Sequence, residues 1–318
     1  AKQIHGVEIN SATVALMNGP YADFVQWPKL PNVHLKNSEG RHFVRMTDLM
    51  FDVIAMPGTD TFAALSSGAY VLAENYLYTV ESMMDYLQKL KPDGTLGVFR
   101  WLFETPRESM RLVNLFLEAS ARLGIKNPEQ NIFVVGADFG WQDYHWAISM
   151  FRKQPFVQAE IEPVIDYLIK KDNHFPVVLP DIQFDPTFKE KVASIKTTRP
   201  ELWVGVARAF SSLLAARGEA REEFIKAYPY NISLVYDDRP FFFEYFPKRS
   251  FMQLIEEFSK GDFWIRIPFA EVALYFLILL MGTIALIAIV GPLVVFRRDG
   301  IRAPHFWSQA AFFSSLGA

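Results

Sequence analysis

The sequence has no cysteine among its 318 residues. This absence excludes disulfide bonds, thiolate catalysis and zinc or iron–sulfur sites held by cysteine. The six histidines show neither HxxxH nor HxH spacing, which would bring two imidazoles to one metal ion. We therefore expect no metal site.

Neither sign of charge is in large excess. The formal net charge is −3, the isoelectric point is near 6.1, and no basic run is longer than two residues. Surfaces that bind nucleic acid need clustered Lys and Arg side chains against the phosphates. Nucleic acid is therefore not an expected partner.

The most informative stretch is residues 51–102, which alternates between strand and helix signals. Residues 51–56 form a short apolar run that stops at Pro57 and Gly58, as a buried parallel strand does. Residues 74–90 repeat apolar side chains at i, i+3, i+4 and i+7, which predicts one buried helical face. Residues 95–102 are rich in β-formers, and a strand, helix, strand succession predicts a parallel crossover.

The first 137 residues contain five strand candidates separated by helices: 3–9, 33–36, 51–56, 95–102 and 131–136. Such alternation predicts an α/β fold with a doubly wound sheet. A sixth strand is predicted at residues 145–151, and the short connection before it favours antiparallel pairing. Further helices are predicted at residues 105–123, 163–171, 202–216 and 251–258, the first with Thr105 as N-cap and Pro106 at its first position.

A long apolar run occupies residues 272–296. These 25 residues include no charge, Asn, Gln or His. At about 1.5 Å per residue, a helix of this length exceeds the roughly 30 Å hydrocarbon core of a membrane. The run therefore predicts a transmembrane helix, with the lipid bilayer as a partner.

A second apolar stretch, residues 305–318, is too short to cross a bilayer. We interpret the chain as a fragment of a longer, multi-spanning protein. Its predicted parts are an N-terminally truncated nucleotide-binding domain (1–137), the rest of the soluble domain with an amphipathic linker (138–267), a transmembrane helix (268–298) and the start of a second membrane segment (299–318).

Glu8 is the first candidate ligand-binding residue, because it lies at the carboxyl end of the first predicted strand. In nucleotide-binding α/β folds an acidic residue there accepts hydrogen bonds from both ribose hydroxyls. The alternative is an ordinary exposed carboxylate at a strand end.

Glu39 and Gly40 follow the second predicted strand. Glu39 is suited to receive an adenine amino group, and Gly40 permits close backbone approach at the start of a helix. The alternative is an ordinary helix start, with Ser38 as the cap and Glu39 favourable in the first turn.

Asp60 is the carboxylate of the loop that follows the strand at 51–56. It is placed to act as a general base, or else to be a turn or N-cap residue. Asp237 and Asp238 precede Arg239 and an aromatic run. Two acids suit a cationic substrate, but we favour an Asp–Arg pair that anchors the entry to the membrane segment.

Five strings carry a family resemblance: Val7-Glu8-Ile9-Asn10, Glu39-Gly40-Arg41, Phe51-Asp52-Val53-Ile54, Leu77-Tyr78-Thr79-Val80-Glu81 and Leu90-Lys91-Pro92-Asp93-Gly94-Thr95-Leu96. In order and spacing the chain resembles spermidine synthase-like proteins of the S-adenosylmethionine-dependent methyltransferase superfamily, which have a Rossmann-like fold. Residues 74–81 and 237–243, with the apolar run after them, are similar to the bacterial multi-spanning membrane branch of that family.

The resemblance implies a doubly wound sheet that lacks its first strand. It also implies that Glu8 binds the ribose of S-adenosylmethionine, or of its decarboxylated form, and that Glu39 takes the place of an Asp that contacts adenine. Family members usually carry two aspartates in the loop after the fourth strand, the first of which deprotonates the polyamine. Pro57 stands at the first of these positions and Asp60 at the second, so Asp60 is the predicted catalytic residue.

The predicted function is a membrane-anchored transferase that uses S-adenosylmethionine or its decarboxylated form, with an unidentified small-molecule acceptor. One alternative is an aminopropyltransferase that makes a polyamine. Another is a non-catalytic nucleotide-binding or scaffold domain of a membrane assembly. We expect a bacterial inner-membrane protein whose soluble domain faces the cytoplasm, where S-adenosylmethionine is made, although Arg297, Arg298 and Arg302 after the span favour the opposite orientation under the positive-inside rule.

Overall fold

The computed structural model describes residues 1–58, 74–138, 145–171, 173–244 and 269–292, together with residues 305, 308, 311 and 312. The chain divides into two compact units, Ala1–Arg249 and Ser250–Ala318. The first unit holds the α/β fold.

The described strands are β1 (Ile4–Glu8), β2 (Val33–Asn37), β3 (Phe51–Pro57), β4 (Leu90–Leu102), β5 (Ile132–Ala137), β6 (His145–Arg152) and β7 (His174–Val178). The described α-helices of the first unit are α1 (Ser11–Asn18), α2 (Ala22–Val25), α3 (Gly40–Met46), α4 (Val80–Lys89), α5 (Glu108–Arg122), α6 (Gln158–Ile169), α7 (Pro186–Ala193), α8 (Pro200–Ala215) and α9 (Glu219–Ala227). The six predicted strands are therefore present, within a few residues of their predicted ends.

Five strands form a mixed sheet in the order β3-β4-β6-β5-β7. β3 and β4 are parallel, with Ala55 opposite Gly97, as the strand, helix, strand pattern predicts. β6 is antiparallel to both β4 and β5, which confirms the predicted antiparallel pairing of the fifth and sixth strands. β7 is antiparallel to β5. The carboxyl ends of β3, β4 and β5 and the amino ends of β6 and β7 therefore share one edge, called the carboxyl edge below.

β1 and β2 form a separate two-stranded parallel sheet. The predicted doubly wound sheet is confirmed only in part: the fold is α/β with a mixed sheet, but among the described residues β1 hydrogen-bonds only to β2 and β3 only to β4, so the strands divide between two sheets. The two sheets meet through side chains instead. The His5 ring of β1 lies 6.3 Å from the Phe51 ring of β3.

Four predicted boundaries are also wrong, for local reasons. Helix α4 begins at Val80 and not at residue 74, because the Thr79 side chain caps it there. Helix α5 begins at Glu108 with Arg107 at the N-cap, so Thr105 does not cap it. Helix α6 encloses Pro163 instead of starting there, because the Glu160 carboxylate caps the backbone N of Val157 at 3.1 Å.

The fourth boundary is the start of β4, which was predicted at residue 95 but lies at Leu90. A Cβ at Gly94 would lie 2.7 Å from the Phe51 carbonyl oxygen. β3 therefore approaches β4 so closely that only glycine fits at this position of the strand pair.

The two faces of the large sheet pack against different helices. Val134 of β5 belongs to the main core, which includes residues of α4, α5 and α8 such as Leu87, Phe116 and Phe210. Phe133, the neighbouring residue, points to the opposite face and packs in a second cluster with residues of α6 and α7. Helices thus cover both faces, as in an α/β layer architecture.

In the second unit, helix α10 (Phe269–Ala285) continues into a π-helical turn at Leu286–Val290. Among the residues that the structure describes, no helix combines the length and the apolar character needed to cross a membrane. The span predicted at 272–296 is therefore not confirmed; its α-helical part ends at Ala285, and residues 293–296 lie outside the described ranges. The helix predicted at 251–258 and most of the segment predicted at 299–318 also lie outside them.

Candidate functional site

Glu8 is the last residue of β1 and is half-buried. Its Oε1 accepts a hydrogen bond of 2.7 Å from the backbone N of Asn10, whose own Oδ1 caps helix α1 through the backbone N of Ala12 at 2.9 Å. No described cation forms an ion pair with the Glu8 carboxylate. The carboxylate is therefore fixed at the start of a helix with acceptor capacity to spare.

The end of β2 lies beside Glu8. Asn37 is opposite Glu8 in the parallel register, and its side-chain Nδ2 donates to the Glu8 carbonyl oxygen at 2.9 Å. The backbone N of Ser38 donates to the same oxygen at 3.1 Å. Glu39 follows directly, so the fold brings the two predicted adenosyl-binding acids to the same end of the small sheet.

Glu39 is the N-cap of helix α3. Its two carboxylate oxygens accept from the backbone N of Arg41 at 2.9 Å and of His42 at 2.6 Å. The cap is thus Glu39 itself and not Ser38, whose hydroxyl donates to the Glu39 carbonyl oxygen at 3.2 Å. Each carboxylate oxygen has a second lone pair, so after capping each can accept one further hydrogen bond.

Gly40 is the first residue of helix α3. A Cβ built there would meet only Leu77 Cδ2, at 3.9 Å, which is an ordinary contact. The described neighbours therefore do not require glycine at this position. They leave space for another group to approach the backbone here.

Arg41, the next residue, is buried and ties the small sheet to helix α4. Its guanidinium donates to Asp237 Oδ1 and Oδ2 at 2.7 and 2.8 Å and to Asp85 Oδ2 at 2.7 Å. Thr79, the N-cap of α4, donates its hydroxyl to Asp237 Oδ1 at 2.7 Å. The Asp–Arg pair therefore does not form within the Asp237-Asp238-Arg239 string, since Arg239 pairs with Glu244 at 3.2 Å.

Electrostatics explains why this cluster is stable. Burial disfavours the charged form of Asp237, but hydrogen bonds from Arg41 and Thr79 outweigh it and hold the pKa of Asp237 below its ordinary value. Burial likewise disfavours charged Arg41, and the two aspartates outweigh it, so the pKa of Arg41 is raised. Sequence reasoning missed this role of Arg41, since a long-range pair leaves no local spacing signal.

Asp60 lies outside the described residues. The described part of its loop is Gly58, which follows the end of β3 with a φ of +52°. That left-handed backbone favours glycine and turns the chain at the carboxyl edge. Asp60, two residues further along the sequence, remains the predicted catalytic residue.

A second polar cluster lies at the carboxyl edge of the large sheet. Glu104 follows β4, Asp138 follows β5, His145 begins β6, and Arg199 is the N-cap of α8. Arg199 is within hydrogen-bond distance of all three. Sequence reasoning missed this cluster, although Glu104 and Asp138 follow strands just as Asp60 does.

No protein-family model matches the chain, and no curated protein matches it. Among solved structures, the spermidine synthase of Thermotoga maritima is similar at 16% identity and a TM-score of 0.36, over 64% of this chain and 61% of that one. A probable spermidine synthase from Corynebacterium glutamicum ATCC 13032 gives 19% identity and a TM-score of 0.34, over 52% and 53%. A spermidine synthase in complex with the transition state analogue AdoDATO gives 14% and 0.34, over 64% and 60%.

These alignments span less than two thirds of the solved chains. Since every TM-score is below 0.5, none of the likenesses decides the fold or the activity of this chain. The α/β fold is established by its own strands and helices, and function depends on the residues at the strand ends.

Proposed function

We propose that this chain is the adenosyl-binding part of a transferase that uses S-adenosylmethionine or its decarboxylated form. The proposal depends on one observation: Glu8 and Glu39 both lie at the carboxyl end of the parallel pair β1–β2. Asn37, which is opposite Glu8, donates its side-chain Nδ2 to the Glu8 carbonyl oxygen. Parallel α/β sheets bind nucleotides at this end of their strands.

Each residue of this pair has a distinct role in the proposal. Glu8 accepts hydrogen bonds from the two ribose hydroxyls, and Glu39 accepts one from the adenine amino group. Gly40 lets the ligand approach the backbone at the start of α3, where a Cβ would otherwise project. A carboxylate acceptor makes such hydrogen bonds charge-assisted and therefore stronger than neutral ones.

The proposed reaction is in-line attack by a nucleophile of a small-molecule acceptor on a carbon next to the sulfonium sulfur. A new bond forms to that carbon, and the carbon–sulfur bond breaks with its electron pair going to sulfur. Positioning supplies most of the rate acceleration in such a transfer. Asp60 is proposed as the general base that takes the proton of the nucleophile.

Two transfers fit this scheme, of a methyl or of an aminopropyl group, the second giving a polyamine. A spermidine synthase, the kind of enzyme that the sequence resembles, has been solved in complex with the transition state analogue AdoDATO. A non-catalytic nucleotide-binding or scaffold role is the second candidate. It is favoured by Pro57, which ends β3 where the resemblance places a catalytic aspartate.

A bacterial inner-membrane location, with the α/β unit on the cytoplasmic side, is a separate proposal. Its support is the uncharged run 272–296, in which residues 275–289 are exposed on all sides of the helix. Alkaline carbonate extraction tests it. Release of the protein into the soluble fraction would contradict the membrane location, and activity of a cytoplasmic reporter fused after Arg298 would contradict the orientation.

Mass spectrometry of small molecules released from the purified protein tests the adenosyl proposal. The expected result is an adenosyl compound in stoichiometric amount, or binding of added 5′-methylthioadenosine if the ligand is lost during purification. A protein that carries no adenosyl compound and binds none would support the scaffold role instead.

A further inference from the structure

The imidazole of His5 lies where the small sheet meets the rest of the first unit. His5 of β1 is opposite His34 of β2 in the parallel register, and the two rings are stacked with centroids 5.1 Å apart. The His5 ring also lies 6.0 Å from the Phe43 ring of α3 and 6.3 Å from the Phe51 ring of β3. One imidazole therefore contacts β2, helix α3 and the first strand of the large sheet.

We propose that the stacked pair of His5 and His34 is a pH-sensitive switch at the junction of the two sheets. While His5 is neutral, its ring packs against Phe43 and Phe51, and the small sheet stays joined to the large sheet. A proton on His5 opens this junction and releases the small sheet. The switch does not depend on the proposed transferase function, because its readout is the opening of a sheet.

The surroundings of the His5 ring disfavour a proton in the closed junction. Its Nδ1 is buried and has no hydrogen-bond partner among the described residues. A protonated imidazole donates from both ring nitrogens, so protonation would leave a buried N–H without an acceptor there. The neutral ring needs only one donor and is therefore the form that fits this place.

Positive charge beside the ring adds to this effect. Burial is the largest cause that lowers the pKa of His5 from its ordinary value of 6.5, and repulsion from His34 and Lys36 of β2 lowers it further. With both imidazoles protonated, two like charges would lie 5.1 Å apart in stacked rings. The closed junction therefore accommodates a neutral His5 and opposes a charged one.

The neighbouring elements supply no compensating negative charge. Within the described ranges, no carboxylate forms an ion pair with His5, since the acid of β3, Asp52, pairs with Lys91 at 2.8 Å. On helix α3, Arg45 forms an ion pair with Asp85 at 3.8 Å. Protonation of His5 would thus remain unpaired while the junction is closed.

The sign of the pH effect follows from this difference. The pKa of His5 is lowered in the closed junction and returns toward about 6.5 in the open one, so the closed form has its full stability above about pH 6.5. That stability is lost as the pH falls through the lowered pKa, because the open form binds the proton more readily. Uptake of one proton favours opening by up to about tenfold for each pH unit in this window.

The small sheet depends on this junction for its order. It has two strands, and a pair of strands without further packing is only marginally stable in water. Opening should therefore expose the hydrogen bonds between β1 and β2 to solvent. Glu8 ends β1 and Glu39 lies two residues after β2, so acidification would also release the two proposed adenosyl-binding acids.

Hydrogen exchange measured by mass spectrometry tests the switch on the full chain. The opening constant of β1 and β2, corrected for the intrinsic pH dependence of exchange, should rise by up to about tenfold per pH unit below about pH 6.5. Protection of β5 and β6 in the large sheet should stay constant over the same range. An equal loss of protection in both sheets would show global unfolding and would overturn the inference.

Two variants remove the proton site. His5→Phe keeps an aromatic ring in the junction but cannot be protonated, so the opening constant of the small sheet should no longer depend on pH. His5→Leu is the second variant with the same expected result, in case the Phe ring disturbs folding. The matched control is His42→Gln, which removes an exposed imidazole of α3 and should keep the wild-type pH dependence. Wild-type pH dependence in either His5 variant, or its loss in His42→Gln, would overturn the inference.

Discussion

Arg41 and Asp237, 196 positions apart in the sequence, form a two-point ion pair with N–O distances of 2.7 and 2.8 Å. The pair joins the first turn of helix α3, which Glu39 caps, to the segment that precedes the second unit. Asp237 also accepts a hydrogen bond from the hydroxyl of Thr79 at the start of α4. The ion pair therefore holds the proposed adenosyl site in place without belonging to it.

Removing Asp237 should destabilise the fold. Asp237→Ala leaves the buried Arg41 guanidinium with Asp85 as its remaining charge partner. Because 36% of the Asp237 side chain is exposed, we expect a cost of about 1 to 3 kcal/mol, below that of a fully buried pair. Urea unfolding of the variant would show this as a lower midpoint with an unchanged slope. Asp238→Ala is the matched control, since Asp238 is exposed, and it should stay within about 0.5 kcal/mol of wild type.

The same pair predicts acid sensitivity. The pKa of folded Asp237 is below its ordinary value of about 3.9, so its contribution to stability is fully present above about pH 4. That contribution is lost as the pH falls through the folded pKa, because the unfolded chain then binds the proton more readily. Asp237→Asn cannot titrate, and its unfolding free energy should fall less steeply below pH 4. Parallel pH profiles for the two proteins would contradict this assignment.

Gly40→Ala should change stability and ligand affinity in opposite directions. Gly40→Ala meets only an ordinary contact at 3.9 Å and lies in a helix, so it should raise stability by about 0.4 to 1 kcal/mol. If the adenosyl ligand approaches this backbone, the new methyl group should weaken its binding about ten- to a hundredfold. Gly205→Ala in helix α8, where an added Cβ meets nothing within 4 Å, should give the stability gain alone. Calorimetric affinities and melting curves distinguish the two effects.

Asp60 should matter in the chemical step. Asp60→Asn keeps size and shape but removes the basic oxygen, so turnover should fall by about 10² to 10⁴ while adenosyl affinity stays near the wild-type value. Turnover is measured once an acceptor is found, with single-turnover kinetics to isolate the transfer. Unchanged turnover would leave Asp60 as a turn residue.

Local patterns in the sequence predicted most of the secondary structure. The strands at 51–56 and 145–151 carry their own apolar pattern and punctuation, so their positions and pairing directions followed from neighbouring residues. The Arg41–Asp237 pair and the Arg199 cluster could not be predicted in this way. Each joins residues far apart in the chain, and a single charged residue has no periodicity that names its partner.

The separation of the two sheets was missed for a related reason. Alternation of strands and helices predicts a sheet but does not say which strand edges hydrogen-bond to each other. In the described part of the chain, β1 and β3 meet through the rings of His5 and Phe51 instead. The positions of Glu8 and Glu39 could be predicted from sequence, because Glu8 ends β1 and Glu39 lies two residues after β2, and strand ends are local features. Their roles in binding an adenosyl ligand stay predictions.

The most direct measurement is the affinity of Glu8→Gln for 5′-methylthioadenosine by isothermal titration calorimetry. A Gln oxygen can still accept from the backbone N of Asn10, so the cap of α1 and the melting temperature should be retained. Loss of the carboxylate's charge-assisted bonds to the ribose hydroxyls should weaken binding by about 1.5 to 3 kcal/mol, or about ten- to a hundredfold. Wild-type affinity in Glu8→Gln would contradict the assignment of this site to an adenosyl ligand.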